Sequence, residues 1–243
     1  MDTPDPSAEL QTREKQYQFM LDREQYGRSQ FGLMSGQVWR DDPRRLTFVL
    51  ARYKFVAKML SGKKSALEIG CADAFGTRLV RQEVERVTAT DFDPLFIENA
   101  KSIADPRWPV DFAVHDMLER RFPETFDAAY ALDVIEHIRP KDELIFTSNI
   151  VTSLAPHGIL ILGCPSIHSQ PFASPPSKEG HVNCKDGPGL KSLMEHFFHN
   201  VFLFSMNDEM VHTGFAPMAH YLLAIGSDLK VDPEVAAYSL RSQ

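Results

Sequence analysis

Cysteine is scarce in this chain: Cys71, Cys164 and Cys184 are three in 243 residues, widely spaced and without a Cys-x-x-Cys pair. That excludes a disulfide scaffold and a zinc ribbon, and it fits a reducing compartment. Long apolar runs are missing too, and no stretch reaches the roughly 20 residues that a membrane-spanning helix needs. Residues 1–13 are polar, carry Pro4 and Pro6 and lack the apolar stretch of a secretory signal, so a cytoplasmic chain without membrane insertion is expected. Positive charge is also in deficit. Lys plus Arg number 26 against 33 Asp plus Glu, a formal charge of −7 that repels phosphate backbones and argues against a nucleic-acid partner. The basic run Arg40 to Arg45 is interrupted by Asp41, Asp42 and Pro43 and reads as a solvated helix start. No internal repeat stands out, and the oligomeric state is left open.

What is present suffices for one full core, since 43% of the residues are hydrophobic. Residues 1–42 read as an N-terminal segment, first disordered and then helical, that serves as a lid; 43–228 read as one α/β domain and 229–243 as a tail. Disorder is expected over 1–12 and a surface helix over 13–30. Leu46, Val49, Leu50, Tyr53, Val56, Ala57 and Leu60 recur at helical spacing from Pro43 to Leu60. After Ser61-Gly62-Lys63-Lys64, short apolar strands at 65–69, 87–90, 110–114, 126–132 and 158–163 alternate with helices over 76–82, 94–103 and 141–154. The fifth strand is nearly all apolar, as parallel strands covered on both faces are. A Pro/Ser-rich stretch (165–176) and a helix (189–198) precede strands at 201–205 and 221–225, which are separated by a turn-rich segment. The expected architecture is a doubly wound, mostly parallel seven-stranded sheet with an antiparallel C-terminal edge hairpin.

In such a sheet, ligands bind outside the carboxyl ends of the strands, where the strand order reverses. The first strand ends there in Glu68-Ile69-Gly70-Cys71-Ala72-Asp73-Ala74-Phe75-Gly76. Its small residues let backbone approach a ligand, and the helix that follows offers free N–H groups. Asp91 ends the second strand 21 residues after Gly70. An acid there can accept both hydroxyls of a ribose, or it can cap the helix that starts at Pro94. After the third strand, Asp116 and Met117 suit either the edge and face of adenine or a turn beside the core. The fourth strand delivers Leu132 and Asp133 to the same mouth and continues Val134-Ile135-Glu136-His137.

Together these segments resemble the class I S-adenosylmethionine-dependent methyltransferases, over about residues 45–226. The resemblance is strongest to the branch with Leu-Asp-Val-Ile-Glu-His after the fourth strand, which acts on quinone precursors, sugars and surface polysaccharides. It implies a Rossmann-like methyltransferase fold, S-adenosylmethionine as donor and S-adenosylhomocysteine as product. By position, it makes Glu68, Gly70 and Ala72 the cofactor loop, sets Asp91 on the ribose and Phe92 against adenine, puts Asp116 and Met117 at the adenine edge, and leaves Leu132 and Asp133 near the methionine part. The departure is Ala72 and Ala74 in place of two glycines, which retains binding where the backbone angles are ordinary. The Asp/Asn-Pro-Pro-Tyr motif of nucleic-acid amino methyltransferases is replaced here by Asp133-Val134-Ile135-Glu136.

The expected acceptor is a small polar molecule, with a sugar or nucleotide-sugar hydroxyl favoured by the polar loop of Ser174, Ser177, Lys178 and Asn183. A quinone-precursor phenol, or a nitrogen or carbon acceptor, is the alternative within the same chemistry. Catalytic candidates are His181, then His137 and His212; each also has a bland reading as a loop, packing or turn histidine. His196 and His199 read as surface residues. Asp133, Glu136 and His137 could approach a magnesium ion, but no metal is expected. Tyr26 to Trp39 mixes aromatics and glycines, suited either to a lid or to pinning an extra helix. Two rivals stand outside methyl transfer. An NAD-dependent oxidoreductase is disfavoured by Phe75, which stands where the dinucleotide fingerprint has its third glycine; a non-catalytic binding module is supported only by Ala72 and Ala74.

Overall fold

A computed structural model describes residues 12–22 and 27–230. The disorder expected for residues 1–11, Tyr26 of the lid segment and all but the first two residues of the 229–243 tail lie outside the described residues. The chain divides into two compact units, 1–30 and 31–243. In the first, a 3-10 turn (Lys15–Tyr17) runs into the short helix α1 (Gln18–Asp22), a smaller helix than the 13–30 span suggests.

The second unit opens with α2 (Leu33–Asp41) and α3 (Arg44–Met59). Strands β1 (Ser65–Ile69), β2 (Arg86–Asp91), β3 (Asp111–Val114), β4 (Phe126–Leu132) and β5 (Leu154–Pro165) then alternate with α4 (Thr77–Arg81), α5 (Pro94–Ser102) and α6 (Glu143–Val151). The Pro/Ser-rich stretch is not a plain loop. It forms a 3-10 turn (Ile167–Phe172) and then α7 (Pro175–Gly180), where the Ser174 hydroxyl accepts from the Ser177 N–H and Pro175 and Pro176 fill the first helical positions. Helix α8 (Gly187–Glu195) and strands β6 (Phe198–Asn207), β7 (Met210–His212) and β8 (Tyr221–Leu229) complete the unit.

The sheet order is β3-β2-β1-β4-β5-β8-β6-β7. Strands β1 to β5 are mutually parallel, β8 runs antiparallel to β5, and β6 antiparallel to β8. Two details correct the sequence reading. Among the described residues the sheet has eight strands, because Asp208 adopts a left-handed φ of 49° and turns three residues back as β7; three residues are too short to show a period. The hairpin's last strand is also interior, lying between β5 and β6, and its buried Tyr221-Leu222-Leu223-Ala224 suits that place.

Adjacent residues of the central strands serve opposite cores. Ala66, Ala128 and Ile161 join Tyr53, Val56, Leu60 and Val80 on the α3–α4 face, whereas Leu67, Ala129 and Leu162 join Phe146, Ile150, Leu190 and Leu193 on the α6–α8 face. That two-residue alternation with apolar residues on both sides is what makes the strands read as continuous apolar runs. Because β1 pairs with β2 on one side and β4 on the other, the strand order reverses at the β1–β4 boundary. Among the described residues, no helix is long and apolar enough to cross a membrane. Ile161→Ala and Leu162→Ala, one per face, should each cost about 2–5 kcal/mol in urea unfolding; a loss below about 1 kcal/mol at either would mean that its face is not closed.

Candidate functional site

Beneath the mouth of β1 lies a buried carboxylate. Glu68 faces Tyr130 across the β1–β4 register, and its oxygens accept from the hydroxyls of Tyr130 (2.8 Å), Tyr53 (2.7 Å) and Thr77 (2.6 Å). Burial pushes the Glu68 carboxyl above its ordinary range, and the three hydroxyls pull the other way. Glu68 therefore joins β1 to α3, β4 and the start of α4 under the loop.

The loop above it turns on left-handed residues. Gly70 has φ of 71°, and a Cβ there would lie 2.4 Å from Val134 Cγ2, so only glycine fits. Ala72 and Ala74 have φ of 47° and 54°. The expectation of ordinary angles at the two alanines is thus corrected: they hold the conformation that glycine would adopt freely, at about 1–2 kcal/mol each. Their strain is offset by a dense backbone frame. The N–H groups of Gly70 and Cys71 both donate to the Thr90 carbonyl (2.8 and 2.9 Å), and the Ala74 N–H donates to that of Cys71 (2.8 Å).

Asp91 fastens the loop to β2. One carboxylate oxygen accepts from the Ala72 N–H (3.0 Å) and the other from the Asp93 N–H (3.0 Å). It does not cap α5, because Asp93 does so, accepting from the Leu95 N–H (2.8 Å). Burial raises the Asp91 pKa, against its backbone hydrogen bonds. A carboxylate has room for about four hydrogen bonds, so acceptor capacity remains. Phe92, next in sequence, is 72% exposed on the rim. Asp116 accepts from the Leu118 N–H (2.7 Å) in a tight turn, and Met117 is buried in the α6–α8 core with its carbonyl accepting from Asn149.

The segment over this loop is pinned. The N-terminus of α2 sits on Asp73, whose Oδ2 accepts from the Ser35 N–H (2.6 Å) and hydroxyl (2.7 Å), a favourable place for a carboxylate. The Leu33 N–H donates to Asn99 of α5 (2.7 Å), and Phe31 packs between Trp39 and Phe75 at 5.5 and 5.2 Å. Phe75 thus has a packing partner of its own.

At the mouth of β4, Leu132 is buried and Asp133 takes a left-handed φ of 56°. Arg52 Nη1 donates to both oxygens of Asp133 (2.8 and 2.7 Å), and its guanidinium lies 3.8 Å over the Tyr221 ring. Arg52 Nε and the Tyr221 hydroxyl are buried without partners. Nothing in the sequence singles out Arg52 from Arg44, Arg45, Lys54 and Lys58 on the same helix; only the fold shows that it alone turns inward to Asp133.

Further along, Ile135–His137 form a 3-10 turn. The Glu136 carbonyl accepts from the N–H groups of Val182 (2.8 Å) and Asn183 (3.0 Å), which draws the loop after β5 onto this turn. His137 and His181 consequently stand edge to face at 5.1 Å. Burial and the neighbouring His137 lower the His181 pKa. The adjoining cleft, about 280 Å³, is lined by Ile167, Gln170, Lys178, His181 and Asn183. His212 is not brought here. It sits on the outermost strand β7, with Nδ1 accepting from the Gly214 N–H (2.9 Å) and Nε2 bonded to Asn207 (3.0 Å), so both ring nitrogens are used within the hairpin.

A methyltransferase domain family matches residues 67–162. The nodulation protein S of Bradyrhizobium diazoefficiens is 29% identical over 139 residues, 54% of this chain and 66% of that protein. The ubiquinone biosynthesis O-methyltransferase of Schizosaccharomyces pombe is 32% identical over 107 residues, 42% and 38% of the two chains. The chain therefore spans less than two thirds of the length of these relatives. The crystal structure of the N-methyltransferase NodS from Bradyrhizobium japonicum WM9 with S-adenosylhomocysteine superposes with a TM-score of 0.56 at 20% identity, covering 86% of this chain and 97% of that one. Residues 67–162 thus match a methyltransferase domain, and the fold is that of a methyltransferase solved with S-adenosylhomocysteine.

Two stability measurements test the loop. Ala72→Gly and Ala74→Gly should each raise stability by about 0.5–1 kcal/mol in denaturant unfolding, the left-handed strain outweighing glycine's added entropy; a loss would show that the alanines are not left-handed. Glu68→Gln should lose about 1–3 kcal/mol, because an amide NH2 then meets hydroxyls oriented to donate. Unchanged stability would remove Glu68 from beneath the loop.

Proposed function

We propose that this protein is an S-adenosylmethionine-dependent methyltransferase that transfers the methyl group to a hydroxyl of a small polar acceptor, a sugar or nucleotide-sugar, in the cytoplasm and without nucleic acid as substrate. The observation that carries the reading is the coupling of Asp91 to the Ala72 N–H at the point where the strand order reverses. It brings a carboxylate with spare acceptor capacity against a loop whose close backbone approach is enforced at Gly70.

The residues fit the donor's parts in order along the mouth. Gly70 and Ala72 supply the backbone cradle, Asp91 takes the ribose hydroxyls, and Glu68 holds the cradle from below without touching the ligand. Phe92, exposed on the rim, flanks adenine, and Asp116 with the backbone of Met117 meets its edge. Leu132 and Asp133 border the methionine part, where the unpartnered Arg52 Nε offers a donor suited to its carboxylate. Bound there, the donor supplies an activated methyl on a sulfonium. The chain's own contribution is mainly positioning, which can lower a barrier by roughly 7–11 kcal/mol.

On the acceptor side, His181 and His137 engage the hydroxyl beside the cleft that Gln170, Lys178 and Asn183 make polar. An amine acceptor is the second reading, favoured by the similarity to an N-methyltransferase. Isotopically labelled methyl donor offered with nucleotide-sugars, amino sugars and phenols separates the two. Label on a nucleotide-sugar oxygen is expected, and label found only on nitrogen or on a phenol would contradict the acceptor assignment.

For the cofactor half, Asp91→Ala should weaken S-adenosylhomocysteine binding at least about 10-fold by calorimetry, the loss of charge-assisted hydrogen bonds to two hydroxyls. Asp93→Ala, which removes only the α5 cap, should leave affinity within about twofold. Equal affinities for the parent and the Asp91 variant would remove Asp91 from the ribose.

A further inference from the structure

We propose that Glu136, His137 and His181 form a binding site for a divalent transition-metal cation, with open positions toward the acceptor cleft. Each residue offers a ligand atom, and these atoms all lie within 4.8 Å of one another. The sequence suggests a different trio, Asp133 with Glu136 and His137, and expects no metal; in the fold Asp133 is committed to Arg52, and His181 arrives from the loop after β5 to take its place.

The strongest sign of a missing partner is the Glu136 side chain. It is wholly buried, and neither carboxylate oxygen has a hydrogen-bond partner. Buried carboxyl groups are normally hydrogen-bonded, paired with a cation or bound to a metal. Among the described residues, no basic side chain is hydrogen-bonded to it. Arg52 is taken by Asp133, and Lys185 by Glu143.

The two histidines are oriented as ligands. His137 Nδ1 lies 3.0 Å from the Gly180 carbonyl, which can only accept, so Nδ1 carries the hydrogen and Nε2 the lone pair. His181 Nδ1 lies 2.9 Å from the Gln170 side-chain oxygen and takes the same tautomer. Metal-binding imidazoles are typically held this way, the far N–H donating to a carbonyl or carboxylate while the other nitrogen faces the ion. Two imidazole nitrogens and one carboxylate oxygen suit Zn²⁺, Co²⁺, Fe²⁺ or Mn²⁺ better than Mg²⁺ or Ca²⁺, which favour all-oxygen shells. Three protein ligands also leave room for an exogenous oxygen.

The site deepens the methyl-transfer reading, and its catalytic consequence rests on that reading. An acceptor hydroxyl on the open position would become more acidic. Its proton would leave to water, its oxygen would form the new bond to the methyl carbon, and the electron pair of the broken sulfur–carbon bond would return to sulfur. His181 then serves as a ligand rather than as the proton's destination.

Cobalt tests the site directly. Full-length protein stripped with a chelator and titrated with Co²⁺ should develop visible ligand-field absorption that saturates at about one ion per chain, as a nitrogen–oxygen site predicts. His181→Ala and Glu136→Gln should each weaken that binding at least about 10-fold, and Gln170→Ala, which removes only the orienting acceptor, by a smaller factor within the roughly 10- to 100-fold range of outer partners. S-adenosylhomocysteine calorimetry on the same samples reports folding and the donor site separately. Should Glu136→Gln fail to fold, His181→Ala on the half-exposed loop carries the test. Absence of cobalt binding by parent protein that still binds S-adenosylhomocysteine, or variants that bind cobalt like the parent, would overturn the site. Cobalt binding without S-adenosylhomocysteine binding would leave the site standing and sink the methyl-transfer reading instead.

Discussion

The loop that closes β1 depends on the buried Glu68 carboxylate and its three hydroxyl donors. A carboxylate out of water is tolerable only when its lone pairs are satisfied. Here the satisfaction comes from three elements at once, Tyr53 on α3, Tyr130 on β4 and Thr77 at the start of α4. Moving any of them would expose an unmet charge, so the group fixes where α3 and α4 sit relative to β1 and β4. On that base the chain can hold three left-handed residues in five, Gly70, Ala72 and Ala74, a conformation that local propensity alone would not keep.

The same logic extends upward. Asp91 ties the loop to β2, and Asp73 ties α2 to the loop, so two further carboxylates link successive layers through backbone N–H groups. The β4 mouth is organised differently. Asp133 is satisfied by the Arg52 guanidinium, whereas beside it Glu136, the Tyr221 hydroxyl and Arg52 Nε remain unpaired. Burial and the nearby Asp133 push the Glu136 carboxyl well up. The β1–β2 side is thus satisfied within the protein itself, whereas the β4 mouth keeps buried polar groups without hydrogen-bond partners.

Much of this was legible in the sequence for identifiable reasons. Strand and helix periods are local, and the apolar runs of β1, β4 and β5 are long enough to show them. Asp91 and the loop could be found because both lie at strand ends a fixed distance apart. The glycine-like backbone of Ala72 and Ala74 was not legible, since alanine carries no mark of a left-handed φ; it is held by hydrogen bonds that the loop donates to Thr90 and Asp91 of β2 and, at Ala74, to the Cys71 carbonyl. Arg52 was hidden among solvated cations of α3. The partnership of Glu136 with His181 was hidden because it depends on a backbone clamp from Val182 and Asn183 to a carbonyl many residues earlier. His212 drew notice as a histidine in a turn, and the hairpin itself uses both its nitrogens.

Placing the cradle at the reversal point by experiment calls for a crystal structure of the protein with S-adenosylhomocysteine. The account predicts both ribose hydroxyls within about 3 Å of the Asp91 oxygens, with the ligand seated over Gly70 and Ala72. Ligand density in another crevice, or a ribose more than about 5 Å from Asp91, would contradict it.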